Sequence, residues 1–210
     1  MRWSEDFENF RKDDLEAGVI DFLCPHQNLE KLVISYYGGL KFPSWLGSPS
    51  HFNIVHLCLH GCCRAKALPS LGLLSSLKEL YIEGLHAICT VGSEFYGTKS
   101  PFPSLITLQF KDMLLWEDWS HCIGTEEVGV LFPCLKHLIV QDCPLLIGTL
   151  PGQLSSLMKL EIDSCPRMNA LASSSSLPSL NELNIGGCNE RVLNSLVNLT
   201  SLTARHKRCC

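Results

Sequence analysis

The sequence predicts an α/β solenoid in which a parallel sheet lines the concave side of a curved coil and the convex side is mostly irregular. Three observations predict it. A pattern L-x-x-L-x-L-x-x-C, with Ile, Val or Phe allowed at the apolar places, starts at Leu29, Ile54, Leu77, Leu105, Leu135, Leu157 and Leu180. The intervals of 25, 23, 28, 30, 22 and 23 residues bracket the ~20–29-residue period of leucine-rich repeats, with one slightly long unit. Within each copy the second and third apolar places alternate with other residues: Leu32/Ile34, Leu57/Leu59, Leu80/Ile82, Leu108/Phe110, Leu138/Val140, Leu160/Ile162 and Leu183/Ile185. Period two is the signature of a strand with one buried face. A single copy can bury that face only against its neighbour, so the copies must stack into a leucine-rich repeat horseshoe.

Taken in order, Met1-Arg2-Trp3 reads as the stump of a preceding strand, and Glu5, Asp6, Glu8, Asp13 and Asp14 as a solvated loop. Asp13 and Glu16 have the spacing of a helix cap, and Leu15, Val19, Phe22 and Leu23 follow at helical spacing. A short helix over 14–23 on the back of the coil, ended by Cys24-Pro25, is therefore expected. Residues 1–28 form a partial first repeat and 29–204 the repeat domain of about seven to eight copies. The last copy, Leu199-Thr-Ser-Leu202-Thr-Ala204, has lost its third large residue. Residues 205–210 read as a frayed tail, with His206-Lys207-Arg208 as a weak basic address.

Cys62, Cys143, Cys165 and Cys188 fall at the ninth position, where the chain leaves the strand and needs a small inward side chain that can also satisfy backbone groups in the bend. Leu68-Pro69, Cys143-Pro144, Leu150-Pro151 and Cys165-Pro166 belong to the turns and the convex back, because proline has no N–H to give a central strand. Pro103, Pro133 and Pro178 sit two residues before a strand leucine and mark where each strand begins. Short helical turns are expected near Ser75–Leu77 and Ser155–Leu157.

Composition narrows the function. At 46 % hydrophobic and 18 % charged the chain has ample core for one continuous domain. A net charge of −4 argues against an electrostatic grip on nucleic acid or anionic membrane. The N-terminus has no apolar signal segment, and no apolar run approaches the ~18–20 residues of a membrane span. Twelve cysteines without a secretory signal read as free thiols. Asn198-Leu-Thr200 is a formal glycosylation sequon that would be inert in the cytosol.

Chemical motifs are sparse. No phosphate-binding loop, G-x-S-x-G or H-E-x-x-H occurs, so no catalytic, cofactor or metal residue is assigned and the chain does not read as an enzyme. His56-x-Cys58-x-His60-x-Cys62 imitates a metal cluster. Its first three members alternate with buried Leu57 and Leu59 and face the concave side, whereas Cys62 follows the inward bend. Same-face neighbours on a strand are also ~6.6 Å apart, too far for three to share one zinc ion without distortion. Trp116-Glu-Asp-Trp119 reads as convex-side packing before an aromatic binding site.

The outward strand positions make three columns. The first is Lys31, His56, Glu79, Thr107, His137, Lys159 and Glu182; the central one is Val33, Cys58, Tyr81, Gln109, Ile139, Glu161 and Asn184; the third is Ser35, His60, Glu83, Lys111, Gln141, Asp163 and Gly186. Stacked at ~4.8 Å, they form a broad mixed surface suited to a protein partner. The candidate contact residues are His56, His60, Tyr81, Glu83, Gln109, Lys111, Ile139, Gln141, Glu161 and Asp163.

Tyr37-Gly-Gly, Phe42-Pro-Ser-Trp45-Leu46, Leu68-Pro-Ser-Leu71-Gly72, Leu77-Lys-Glu-Leu-Tyr-Ile82, Val91-Gly-Ser-Glu-Phe-Tyr-Gly97 and Pro101-Phe-Pro-Ser-Leu105, in this order, strongly resemble one family. With Trp116–Trp119 and the Cys-Pro repeats, the chain is similar to the C-terminal leucine-rich repeats of plant coiled-coil/nucleotide-binding/leucine-rich-repeat disease resistance proteins. The resemblance implies a cytoplasmic location, with the nucleus as alternative, and recognition of a pathogen effector, a host guardee or the receptor's own nucleotide-binding domain. It also implies restraint of an ADP/ATP switch whose residues are missing here. No ADP site can be placed on this chain, which reads as a fragment, a truncated product or an incomplete gene model. The alternatives are a repeat scaffold such as a ligase substrate receptor, or a non-functional truncated receptor.

Overall fold

The computed structural model describes residues 1–3, 19–48, 53–97, 100–120, 130–147, 149–169 and 177–196. Two residues after each repeat start the chain enters a five-residue strand: β1 (Lys31–Ser35), β2 (His56–His60) and β3 (Glu79–Glu83). A two-residue strand β4 (Thr90–Val91) lies on the convex side, and β5 (Thr107–Lys111) returns to the concave sheet. A second convex strand, β6 (Asp118–Trp119), precedes β7 (His137–Gln141), β8 (Lys159–Asp163) and β9 (Glu182–Gly186). The long strands make one parallel sheet in the order β1-β2-β3-β5-β7-β8-β9. Leucine faces leucine at every step, as in Leu57↔Leu80 and Leu108↔Leu138. The predicted stump is there too: Arg2 bridges Ser35 in parallel, with Trp3 N–H donating to the Ser35 carbonyl at 2.9 Å.

The inward residues fill a continuous core. Leu57, Leu59, Leu80, Ile82, Leu108, Phe110, Leu138, Val140, Leu160 and Ile162 are fully buried. Burying each side chain of this size contributes about 1.5–3 kcal/mol. Ninth-position residues turn inward in every repeat, and the cysteines among them use the bend: Cys143 Sγ donates to the Gln141 carbonyl at 3.2 Å and Cys165 Sγ to the Asp163 carbonyl at 3.3 Å.

The eighth residue of every repeat is left-handed: Tyr36, Gly61, Gly84, Asp112, Asp142, Ser164 and Gly187 all have φ between 53° and 68°. This bend aims its N–H at the next strand's last carbonyl, as in Gly61 to Glu83 at 2.8 Å and Asp142 to Asp163 at 3.0 Å. Each copy is thereby tied to the next beyond the strand itself.

The convex side departs from expectation in four places. β4 and β6 pair in parallel, a second sheet that two-residue strands gave no periodic hint of. Ser75–Leu77 and Ser155–Leu157 are turns; a 3-10 helix forms instead at Leu71–Leu73 and a helical turn at Ser93–Tyr96. A helix over Glu190–Leu196 starts where Asn189 Oδ1 accepts from the Arg191 and Val192 amides at 2.9 and 3.3 Å, a side-chain cap. Of the expected helix over 14–23, residues 19–22 are helical and 14–18 lie outside the described residues, as does the copy beginning at Leu199.

That first helix also presents a different face. Val19, Phe22 and Leu23 are exposed, Phe22 at 92 %, while Ile20 is fully buried. The Trp45 indole N–H donates to the Ile20 carbonyl at 2.9 Å, which fixes the helix rotation. Pro103, Pro133 and Pro178 occupy turns, and their strands start four residues later.

The segments that carried the family resemblance build the convex core. Trp116 and Trp119 pack on Phe110 with centroids 4.7 and 5.2 Å away. Trp119 donates to the Tyr96 hydroxyl at 2.9 Å in a buried hydrogen bond. The sequence's preference for packing over binding at Trp116–Trp119 therefore holds. Gly72 is required where the helical turn crosses it, because a Cβ there would lie 2.1 Å from the Tyr96 carbonyl oxygen.

Candidate partner-binding surface

Each long strand exposes its first, third and fifth residues on the side opposite the core. The pairing register aligns the three columns across the sheet, as in His56↔Glu79↔Thr107, Cys58↔Tyr81↔Gln109 and His60↔Glu83↔Lys111. It continues through Ile139↔Glu161 and Gln141↔Asp163. His56, His60, Tyr81, Glu83, Gln109, Lys111, Ile139, Gln141 and Glu161 are half-buried among their column neighbours, and Asp163 is exposed. Ser35 is an exception to the columns. It is buried, because the Met1–Trp3 segment bonds along that edge.

Polar side chains on this face pair laterally from strand to strand. His56 Nδ1 lies 2.9 Å from Glu79 Oε2, which also accepts from the Tyr81 hydroxyl at 3.4 Å. His60 Nδ1 lies 3.3 Å from Glu83 Oε2, and Lys111 Nζ 3.2 Å from Glu83 Oε1. Farther along, Lys159 Nζ bridges Glu182 at 2.9 Å and Glu161 at 3.7 Å, and Glu182 beside it raises the ammonium's pKa. Gln141 Nε2 donates to Glu161 Oε1. Such half-exposed pairs contribute at most about 1 kcal/mol each and leave the groups available to a partner.

Aromatic rings add to the N-terminal half. The His56 and Tyr81 rings are 5.3 Å apart and tilted. Tyr36, which the strand columns omit, is turned onto this face by its left-handed backbone, and its hydroxyl is 3.0 Å from His60 Nε2. The Arg2 guanidinium sits 5.4 Å from the centre of the Tyr36 ring. Aligning the eighth positions could have found Tyr36, since two glycines follow at the same place in the next copies.

The metal look-alike is split by this geometry. His56 and His60 are engaged with Glu79 and Glu83, while Cys62 is fully buried beneath the sheet, where burial pushes its thiol up to about 12. Among the described residues no group of three or more potential ligands converges. All nine described cysteines are free thiols. No helix of the described residues is long and apolar enough to cross a membrane.

A filled inner face, a free outer face and one strand per copy define a leucine-rich repeat solenoid, a fold of protein interaction. Residues 1–85 match the family model for R13L1/DRL21 leucine-rich repeats. The chain is 41 % identical over 170 residues, 77 % of its length, to the disease resistance RPP13-like protein 1 of Arabidopsis thaliana. It is 30 % identical over 211 residues to disease resistance protein RGA4 of Solanum bulbocastanum, covering 95 % of the chain, and 30 % identical over 190 residues to RGA2 of the same species, covering 83 %. It spans 16 %, 20 % and 18 % of those relatives' lengths. No solved structure matches the chain. The chain belongs to the leucine-rich repeats of the plant disease resistance proteins.

Proposed function

We propose that the chain is the protein-recognition module of a plant intracellular immune receptor, acting in the defence response through its concave face. It binds a pathogen effector or host protein there and restrains a nucleotide-binding switch domain that lies outside these 210 residues. ADP or ATP would belong to that domain, and this chain supplies recognition without catalysis. One observation carries the reading. Seven strands hold unbroken register, so their outward side chains form one continuous surface while the core is filled entirely from the other side.

Co-expression with a nucleotide-binding domain from the same source tests it. The folded chain should lower that domain's signalling and co-purify with it. Full signalling beside a folded, well-expressed chain would exclude the restraint.

A further inference from the structure

We propose that β3 carries a seat for a cationic side chain of the partner, with the Tyr81 ring as its floor and Glu79 and Glu83 as its walls, so that the concave face takes an arginine-bearing protein segment. The inference rests on the recognition reading above and specifies the chemistry recognised. Glu79, Tyr81 and Glu83 are alternate residues of one strand and share its outward face. A guanidinium above the ring would meet the ring's negative face and lie within reach of a carboxylate on either side.

Charge on this surface favours a cation. Across the three columns and Tyr36 beside them, five carboxylates (Glu79, Glu83, Glu161, Asp163 and Glu182) accompany four basic groups (Arg2, Lys31, Lys111 and Lys159). Lys159 already bridges Glu161 and Glu182, and Lys111 is held by Glu83. Glu79, by contrast, is met by a histidine and a tyrosine hydroxyl and, among the described residues, by no ammonium or guanidinium group. An anionic partner would face a net excess of like charge here.

The same face already displays this mode of contact. Arg2 lies over Tyr36, whose ring edge packs on His60 with centroids 5.1 Å apart. From the other side of β2, Tyr81 of β3 packs on His56 with the rings tilted, a second tyrosine–histidine contact, and among the described residues no cation lies over its ring. Arginine suits such a site better than lysine, because its planar guanidinium can stack and bind a carboxylate at once.

Fluorescence anisotropy of the full chain with labelled nona-arginine, nona-lysine and nona-glutamate peptides tests the seat. Nona-arginine should bind most tightly and nona-glutamate not at all. Tyr81→Ala, which leaves every charge in place, should weaken nona-arginine about threefold to fivefold. Glu79→Gln with Glu83→Gln should weaken it about tenfold or more. Glu94→Gln with Glu117→Gln, exposed carboxylates of the convex segments, should change it less than about twofold, as expected for charges outside the seat. Equal losses from the two double variants, or a silent Tyr81→Ala in a chain of unchanged circular dichroism, would overturn the seat. If these variants are silent while Lys111→Glu still releases the switch domain, the seat is wrong and recognition by the concave face stands. If Lys111→Glu is silent as well, both are wrong.

Discussion

The eighth residue of each repeat sets the bend that joins strand to convex return, and it does so in a backbone region that disfavours most side chains. Gly187 shows the constraint most sharply. Its φ is 55°, and a Cβ would lie 2.9 Å from the Ser164 backbone, which cannot step aside. Gly187→Ala should therefore cost about 1–2 kcal/mol in urea unfolding from conformation alone, and more from the clash. This column was only partly legible in the sequence: glycine holds it in three copies, but Tyr36, Asp112, Asp142 and Ser164 occupy it in the others. The ninth column was legible, since cysteine recurs there in four copies, in two of them before proline. Burial raises the Cys62 thiol from 9.0 to about 12, so the native state holds this proton more tightly than the unfolded chain does. Its stabilising effect is complete below about pH 9 and is lost as pH rises from there towards 12. Cys62→Ala should flatten the stability profile over that window in thermal melts. A profile of unchanged slope would show that this thiol titrates normally.

At the level of elements, period-two spacing placed all seven long strands and sorted inward from outward residues before any geometry was known. His56, His60 and Tyr81 were found on the concave face for that reason. Their neighbours were legible too, since the columns already set Glu79 beside His56 and Glu83 beside His60, as the pairing has it; what the columns omit is Tyr36, which reaches this face from the bend after β1. Convex elements escaped for a different reason. Two-residue strands have no period, and the helix near Ile20 is rotated by a hydrogen bond from Trp45, 25 residues away, not by its own apolar spacing. The packing makes two predictions. Leu138→Ala should cost ~2–5 kcal/mol through lost burial and a cavity. Tyr96→Phe leaves the buried Trp119 indole N–H without its acceptor and should cost about 1–3 kcal/mol in the same unfolding measurement. A cost near zero there would mean that the indole finds another partner.

For the whole molecule, a solenoid separates stability from recognition more cleanly than a globular enzyme does. One side of each strand is given to the core, which runs unbroken from Ile20 to Val192, and the other side is left to vary without disturbing it. The family followed from the sequence because its marker segments, Val91–Gly97 and Phe42–Leu46, are required by the packing. The partner does not follow in the same way, because concave residues answer to a surface that lies outside this chain. Their role is best tested by varying the two sides independently. In co-expression with the switch domain, Tyr81→Ala and Lys111→Glu should release signalling that the wild-type chain holds down, while Glu94→Gln and Glu117→Gln should not, all four keeping the wild-type unfolding midpoint. Concave variants that stay folded and restrain the switch as well as the wild type would contradict the assignment of recognition to the concave face.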